Sequence, residues 1–165
     1  MTSSTAVGNL AQATGISSTA LGRGTDATMA DATAVGSLAQ ATGLSSTALG
    51  RSANATMTRA TAVGSFAQAT GLQSTALGQS AGATANQATA IGARAQATGA
   101  GATAIGAGND ETESARASGE GSVALGGARY AADGTTLVFA GAESCLLYTS
   151  PSPRDQRGSR MPSSA

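Results

Sequence analysis

Most of the clustered carboxylates of this chain lie in one stretch, GNDETESARASGEG, which begins at Gly108. Asp110, Glu111, Glu113 and Glu120 could together bind a cation such as Ca²⁺, because hard cations prefer carboxylate oxygens. The stretch lacks the spaced Asp/Asn pattern and the fixed glycine of a calcium loop. We therefore interpret it as a solvated loop, and we expect no metal and no cofactor.

The sequence shows no constellation of residues for nucleophilic catalysis. It contains no histidine, which excludes Ser-His and Cys-His pairs. The single cysteine, Cys145, has no companion thiol for a disulfide or a metal site. GAGNDE, which begins at Gly106, has two glycines of a phosphate loop but no Gly-Lys-Ser/Thr. We predict that the protein is not an enzyme.

Threonine recurs every fourteen residues in two series, one from Thr5 to Thr103 and one from Thr14 to Thr98. Threonine favours β-structure, and stacked hydroxyls make favourable cross-strand contacts, which is the interpretation we favour. A flat exposed threonine array could instead bind ice. Aliphatic residues such as Val7 share the face of the first series, which weakens that alternative.

The threonines belong to a repeat that keeps strict register. Thr-Ala-[Val/Leu/Ile] precedes an anchor glycine every fourteen residues, at Gly8, Gly22, Gly36, Gly50, Gly64, Gly78, Gly92 and Gly106. Such register argues against a disordered chain. A weaker period of twenty-eight is superimposed, with Leu10, Leu38 and Phe66 opening similar segments. It indicates that a unit of two repeats was duplicated.

Fourteen residues are also two heptads, but each repeat contains glycine and several threonines, which disfavour a helix. The repeat instead predicts an all-β solenoid with one coil per repeat. In the first coil, Thr5 and Val7 share one face of a strand and Ala6 lies on the other. Two strands of about five residues, with bends near Gly8 and Gly15, would complete each coil.

A coil of fourteen residues is narrow, so its interior suits alanine. We predict that the coil interior includes Ala6, Ala11, Ala13, Ala34, Ala39 and Ala41. The larger aliphatic residues must then point outward, in a ridge with about 4.8 Å between coils. A continuous apolar ridge in water indicates an interaction surface. We therefore predict a self-association interface formed by Val7, Leu21, Val35, Leu49, Val63, Leu77, Ile91 and Ile105.

Composition supports association and excludes several partners. Hydrophobic residues make up 41% of the chain, but most are alanine and only 2% of the chain is aromatic, which is little for a lone compact monomer.

The nine arginines are scattered, so we expect no nucleic-acid partner. No apolar run approaches 18 residues, so we expect no membrane span, and the start TSSTAVG does not resemble a signal peptide. We expect a fragment if the protein acts outside the cell.

The unit TAVGSLAQATGLSS resembles the head repeat of YadA-like trimeric autotransporter adhesins, and the resemblance runs from about Thr5 to Gly126. It implies a left-handed parallel β-roll, a homotrimer, and display at the outer membrane of a bacterium. It also implies binding of host extracellular-matrix or cell-surface ligands. The chain departs from the family by having threonine where valine is common, and by showing no stalk or membrane anchor. A phage tail-fibre segment with a similar repeat and an ice-binding solenoid are the alternatives.

The domain boundaries follow the repeat. We predict the head over residues 1–126, with an insertion at about 107–121 where the glycine spacing lengthens from fourteen to twenty. Residues 127–144 form a last coil or a neck-like transition. Residues 145–165 contain all three prolines and no repeat, and we interpret them as translated adapter or vector sequence, with a flexible linker as the alternative.

Overall fold

The computed structural model describes residues 3–109, 114–126, 129–130 and 137–139. Each fourteen-residue repeat forms one coil of a parallel β-solenoid, and no helix occurs within these ranges. The predicted all-β solenoid of fourteen-residue coils is confirmed. Its left-handed sense and its homotrimeric state stay predictions.

Each coil contains one three-residue strand and one two-residue strand. The three-residue strands stack into a nine-stranded parallel sheet, called here the first sheet. They are β1 Thr5–Val7, β3 Thr19–Leu21, β5 Thr33–Val35, β7 Thr47–Leu49, β9 Thr61–Val63, β11 Thr75–Leu77, β13 Thr89–Ile91, β15 Thr103–Ile105 and β17 Val123–Leu125.

The two-residue strands stack into an eight-stranded parallel sheet, the second sheet. They are β2 Gln12–Ala13, β4 Asp26–Ala27, β6 Gln40–Ala41, β8 Asn54–Ala55, β10 Gln68–Ala69, β12 Gly82–Ala83, β14 Gln96–Ala97 and β16 Arg116–Ala117. Within a coil, the first turn leads from the first sheet to the second, and the second turn leads back.

In the coils before the insertion, each strand residue pairs with the residue fourteen positions away in the next coil, so the sequence period sets the sheet register. Thr33 pairs with Thr47, and Gln40 pairs with Asn54. The spacing lengthens to twenty at one place in each sheet: Thr103 of β15 pairs with Val123 of β17, and Gln96 of β14 pairs with Arg116 of β16. The strict fourteen-residue period of the sequence therefore reflects hydrogen bonding between equivalent positions of successive coils.

Alanine fills the space between the two sheets. Every buried hydrophobic residue in the described part of the chain is alanine, and the largest fully buried side chain is Thr25. The described core contains no side chain larger than threonine, so the two sheets pack closely against each other. The core is therefore a stack of methyl groups, completed by a few hydroxyls.

The turns use left-handed backbone at non-glycine residues. Leu38 in a first turn has a φ of 60°, and Ser45 in the following second turn has a φ of 53°. The amide of each donates a hydrogen bond to the preceding coil, Leu38 to Arg23 and Ser45 to Ala30, both at 2.9 Å. These bonds between coils repeat along the stack and offset the cost of left-handed backbone, roughly 1–2 kcal/mol per residue.

The strands are shorter than the five residues predicted, because the turns take up more of the coil. Both predicted bends lie in turns: Gly8 has a φ of 131°, and Gly15 faces the carbonyl of Met29, where a Cβ would overlap it. The same close approach recurs at Gly43 beneath Met57. This close approach requires glycine at these positions, which recur every twenty-eight residues.

The extra residues lie in one first turn, between Ile105 of β15 and Arg116 of β16. The predicted insertion range extended to residue 121, but Arg116 and Ala117 form β16, which pairs with β14 as part of the regular coil. After the last coil, β18 Arg129–Tyr130 pairs antiparallel with β19 Leu137–Phe139. The tail predicted to be adapter or vector sequence, 145–165, lies outside the described residues.

Candidate functional site

The predicted ridge lies on the outer face of the first sheet. Val35 pairs in register with Leu49, and the series continues past Ile105 to Leu125. Neighbouring coils cover part of each side chain, yet Val7 is 58% exposed and Leu77 is 43% exposed. All eight predicted ridge residues thus lie outside the alanine core, in the series Val7, Leu21, Val35, Leu49, Val63, Leu77, Ile91 and Ile105.

The first threonine series shares this face with the ridge. Thr33 and Val35 flank Ala34, which is fully buried, so both point away from the core. Threonine side chains next to a continuous row of aliphatic side chains do not form an array of hydroxyls alone. The outer face of the first sheet is consequently mixed in polarity and mainly apolar along the ridge.

The six alanines predicted for the coil interior fall into two groups. Ala34, Ala39 and Ala41 are fully buried in the third coil. Ala6 is exposed, and Ala11 and Ala13 are partly buried, because they belong to the first coil and have a neighbouring coil on one side only. Burial in this fold therefore requires a coil on each side.

The outer face of the second sheet is polar. Its two outward columns carry amides and hydroxyls, as in Gln40 and Thr42, and no large apolar side chain lies on it among the residues described. The column that contains Gln40 also includes Asp26 and Asn54, paired in register. The two sheets therefore differ in character: one presents aliphatic groups to solvent and the other presents amides and hydroxyls.

The two turns form the edges of the coil, and both carry exposed apolar side chains. The first-turn edge carries Leu10, Leu38 and Phe66, one in every second coil. The second-turn edge carries Ile16, Met29, Leu44, Met57 and Leu72. The twenty-eight-residue recurrence of Leu10, Leu38 and Phe66 is the signal in the sequence for the first-turn edge, but the period alone does not predict an exposed apolar surface.

Contacts along the first-turn edge run from coil to coil. The guanidinium carbon of Arg51 lies 4.5 Å from the centroid of the Phe66 ring, a cation–π geometry. A Cβ on Gly24 would lie 2.9 Å from Cδ2 of Leu38, so that leucine leans over the glycine of the preceding coil. The edge is thus a row of large side chains separated by small residues.

The acidic stretch does not form a recognisable metal site in the described part of the chain. Asp110, Glu111 and Glu113 lie outside the described residues, and Glu120 is exposed in the second turn before β17. Within the described ranges, no three His, Cys, Asp or Glu side chains are grouped so that they could hold an ion. The absence of a metal and of a cofactor stays a prediction.

The stacked coils, the alanine core and the outward aliphatic residues define a parallel β-solenoid with one short repeat per coil. The sequence model of the YadA head domain repeat (2 copies) matches residues 1–25, 27–53, 55–81, 83–109 and 113–128. The chain belongs to the YadA head domain family. That family comprises homotrimeric, non-enzymatic adhesins exposed on the bacterial surface, so the chain is a head segment of the trimeric-autotransporter type.

No curated protein matches the chain. In the part of the chain that the structure describes, no helix has the length and apolar character needed to cross a bilayer.

Proposed function

We propose that this chain is the head of a homotrimeric adhesin displayed on a bacterial surface, and that the ridge of the first sheet faces the trimer axis. The observation that carries the proposal is that the small apolar residues are buried and the large ones lie on the surface. The described core holds alanine, whereas valine, leucine, isoleucine, methionine and phenylalanine lie outside it. A chain of this kind gains most by burying its outer apolar residues against other copies of itself.

The energetics favour association over a lone coil stack. Full burial of a valine, leucine or isoleucine contributes roughly 1.5–3 kcal/mol, and alanine contributes far less. The ridge runs in register through nine strands without a polar interruption at its own position. Partial burial of each ridge residue at an axis would contribute about 1–2 kcal/mol.

With the first sheet at the axis, the second sheet faces outward. Its amide and hydroxyl columns are suited to many weak hydrogen bonds with a host extracellular-matrix or cell-surface ligand. Three copies in one assembly would raise the apparent affinity without any new contact, because the second and third binding events are intramolecular. Nine coils at about 4.8 Å make a rod of roughly 45 Å that carries this surface.

The assembly is tested by placing charges on the ridge. Val63→Asp with Ile91→Asp puts a carboxylate on alternate coils of the first sheet, so the two new charges are not adjacent. The matched control, Gln68→Asp with Gln96→Asp, modifies the same two coils on the second sheet. We expect light scattering with size-exclusion chromatography to report a trimer for the parent chain and the control, and monomer for the ridge variant. A trimeric ridge variant would overturn the axis assignment.

Adhesion requires a separate test. The chain, joined to a heterologous surface anchor, is displayed on a non-adherent bacterium and offered a panel of immobilised extracellular-matrix proteins. We expect binding to at least one of them, and weaker binding for the Gln68→Asp, Gln96→Asp variant, because it alters the outward face. A displayed trimer that binds no member of the panel and no host cell would contradict the adhesion proposal.

The two alternatives make different predictions. An ice-binding solenoid is favoured by the regular threonine column from Thr14 to Thr98 on the polar second sheet, and it predicts thermal hysteresis. Freezing measurements without hysteresis would exclude it. A phage tail-fibre segment predicts the same trimer, and it differs in its genetic surroundings, which would be phage structural genes in place of an export signal, stalk and membrane anchor.

A further inference from the structure

We infer that the two turn edges are the two halves of one contact between copies, in which the first-turn edge of one chain lies against the second-turn edge of the next. The inference rests on the proposed trimer and adds to it the surfaces by which neighbouring copies meet away from the axis. The occupant of each edge is therefore a second copy of this chain.

The first-turn edge carries large apolar side chains that solvent reaches freely. Leu10 is 75% exposed, Leu38 is 51% exposed and Phe66 is 41% exposed. The intervening coils have small residues at this position, Gly24 and Ser52. Large apolar and small residues therefore alternate along this edge with a period of two coils.

The second-turn edge carries a large apolar side chain in each of the same five coils. Ile16, Leu44 and Leu72 project from alternate coils and are 57%, 47% and 42% exposed. Met29 and Met57 project from the coils between them and are half exposed. Methionine is flexible and fills irregular gaps, which suits a surface that receives the projections of another chain.

The two stripes end at the same height. Beyond the coil that contains Phe66 and Leu72, the first-turn edge continues with Ser80 and Arg94, and the second-turn edge continues with Asn86. The ridge, in contrast, remains aliphatic for four more coils, at Leu77, Ile91, Ile105 and Leu125. Duplication of a two-coil unit accounts for the shared spacing, but it gives no reason for exposed apolar residues to be kept on both edges over the same coils.

The position of the inserted residues is consistent with a contact that ends at the coil containing Phe66 and Leu72. The inserted residues lengthen a first turn between Ile105 and Arg116, three coils beyond Phe66, where the edge no longer carries large apolar side chains. A turn held against another copy would have little room for six more residues. The insertion thus lies where the inferred contact has already ended.

Three-fold rotation requires contacts between unlike surfaces, because each copy meets its two neighbours through different patches. The two edges lie at opposite ends of the coil, so a rotation about an axis facing the first sheet brings one edge toward the other at the same height. In this arrangement Arg23 would lie at the same height as Asp31 of the next copy, and Arg51 at the same height as Arg59. The first pair attracts and the second repels, so charge neither favours nor opposes the contact. The apolar stripes are what the contact buries.

Cross-linking tests the pairing directly. All chains carry Cys145→Ser; one preparation carries Leu38→Cys, a second carries Leu44→Cys with a distinguishable tag, and the two are assembled together. We expect a short thiol cross-linker to give mainly the mixed dimer of Leu38→Cys and Leu44→Cys chains. Either chain alone should give at least tenfold less dimer. A Gln40→Cys chain assembled with the Leu44→Cys chain is the control and should not cross-link.

The outcomes separate this inference from the proposed function. A trimer that cross-links Leu38→Cys to itself, or that gives no product from any edge pair, overturns the edge contact and leaves the ridge at the axis. A monomer by light scattering overturns both. Circular dichroism of each variant establishes that the coils are folded, which is expected because both substituted positions are exposed turn residues.

Discussion

Gly36 and Gly50 occupy the same position in successive coils and lie in direct backbone contact. A Cβ built on Gly36 would lie 2.5 Å from the carbonyl oxygen of Gly50, and the φ of Gly36 is 128°. The amide of Gly50 donates to the carbonyl of Val35 at 2.8 Å, which holds the two coils at this spacing. The anchor glycine that marks the sequence repeat is therefore required both by backbone conformation and by the distance between coils.

Replacing Gly36 with alanine should destabilise the solenoid strongly. The new Cβ would overlap the Gly50 carbonyl, and a non-glycine residue at this φ costs about 1–3 kcal/mol before that overlap is counted. Urea unfolding followed by circular dichroism measures the loss. The neighbouring Ser37→Ala is the control, and we expect its effect to stay within about 0.5 kcal/mol. Equal stability of the two variants would contradict the close approach.

The alanine core predicts a strong dependence on side-chain size. Ala69→Val adds two methyl groups between the sheets at a fully buried position, and overpacking of this kind costs about 1–3 kcal/mol. Gln68→Val, one residue earlier and pointing outward, should change the free energy of unfolding by less than about 0.5 kcal/mol. Thermal unfolding of both variants checks the difference. An Ala69→Val chain that is as stable as the parent would show that the core has spare volume.

Thr25 is a single hydroxyl in an otherwise alanine column, and it donates to the carbonyl of Gly36 at 2.9 Å. Thr25→Val keeps the shape and removes the hydrogen bond, so we expect a loss of about 0.5–1.5 kcal/mol. Thr28→Val, in the same coil but on the outer face, serves as the comparison and should be nearly neutral. The midpoints of denaturant unfolding measure the difference in stability between the two variants. A Thr25→Val chain more stable than the parent would mean that the buried hydroxyl destabilises the core.

The left-handed turn residues predict opposite signs for one substitution at two serines of the same coil. Ser45 has a φ of 53°, so Ser45→Gly should stabilise the fold by up to about 1 kcal/mol. Ser37 does not have a positive φ, so Ser37→Gly should destabilise it by about 0.5–1 kcal/mol. Melting temperatures that fall for both variants would argue against left-handed backbone at Ser45.

The solenoid could be predicted from the sequence because its anchor glycines repeat at exact intervals of fourteen residues from Gly8 to Gly106. Once equivalent residues are fourteen apart, parallel pairing such as Thr33 with Thr47 follows, and alternation within the strand sends Ala34 to one side and Val35 to the other. The turns could not be predicted in the same way. Leucine, phenylalanine and arginine rarely adopt left-handed backbone, and at Leu38, Phe66 and Arg94 they do so because the amide hydrogen bond to the preceding coil holds them there.

The sequence by itself determined the coil length, the parallel register and the outward placement of the aliphatic residues, since each depends only on a period and on strand alternation. The tertiary structure alone decided which coil edge carries Leu38 and which carries Leu44, and that the inserted residues belong to a first turn. Those features depend on the path of the chain through its two turns. That path is fixed by hydrogen bonds between coils, which local sequence preference does not encode.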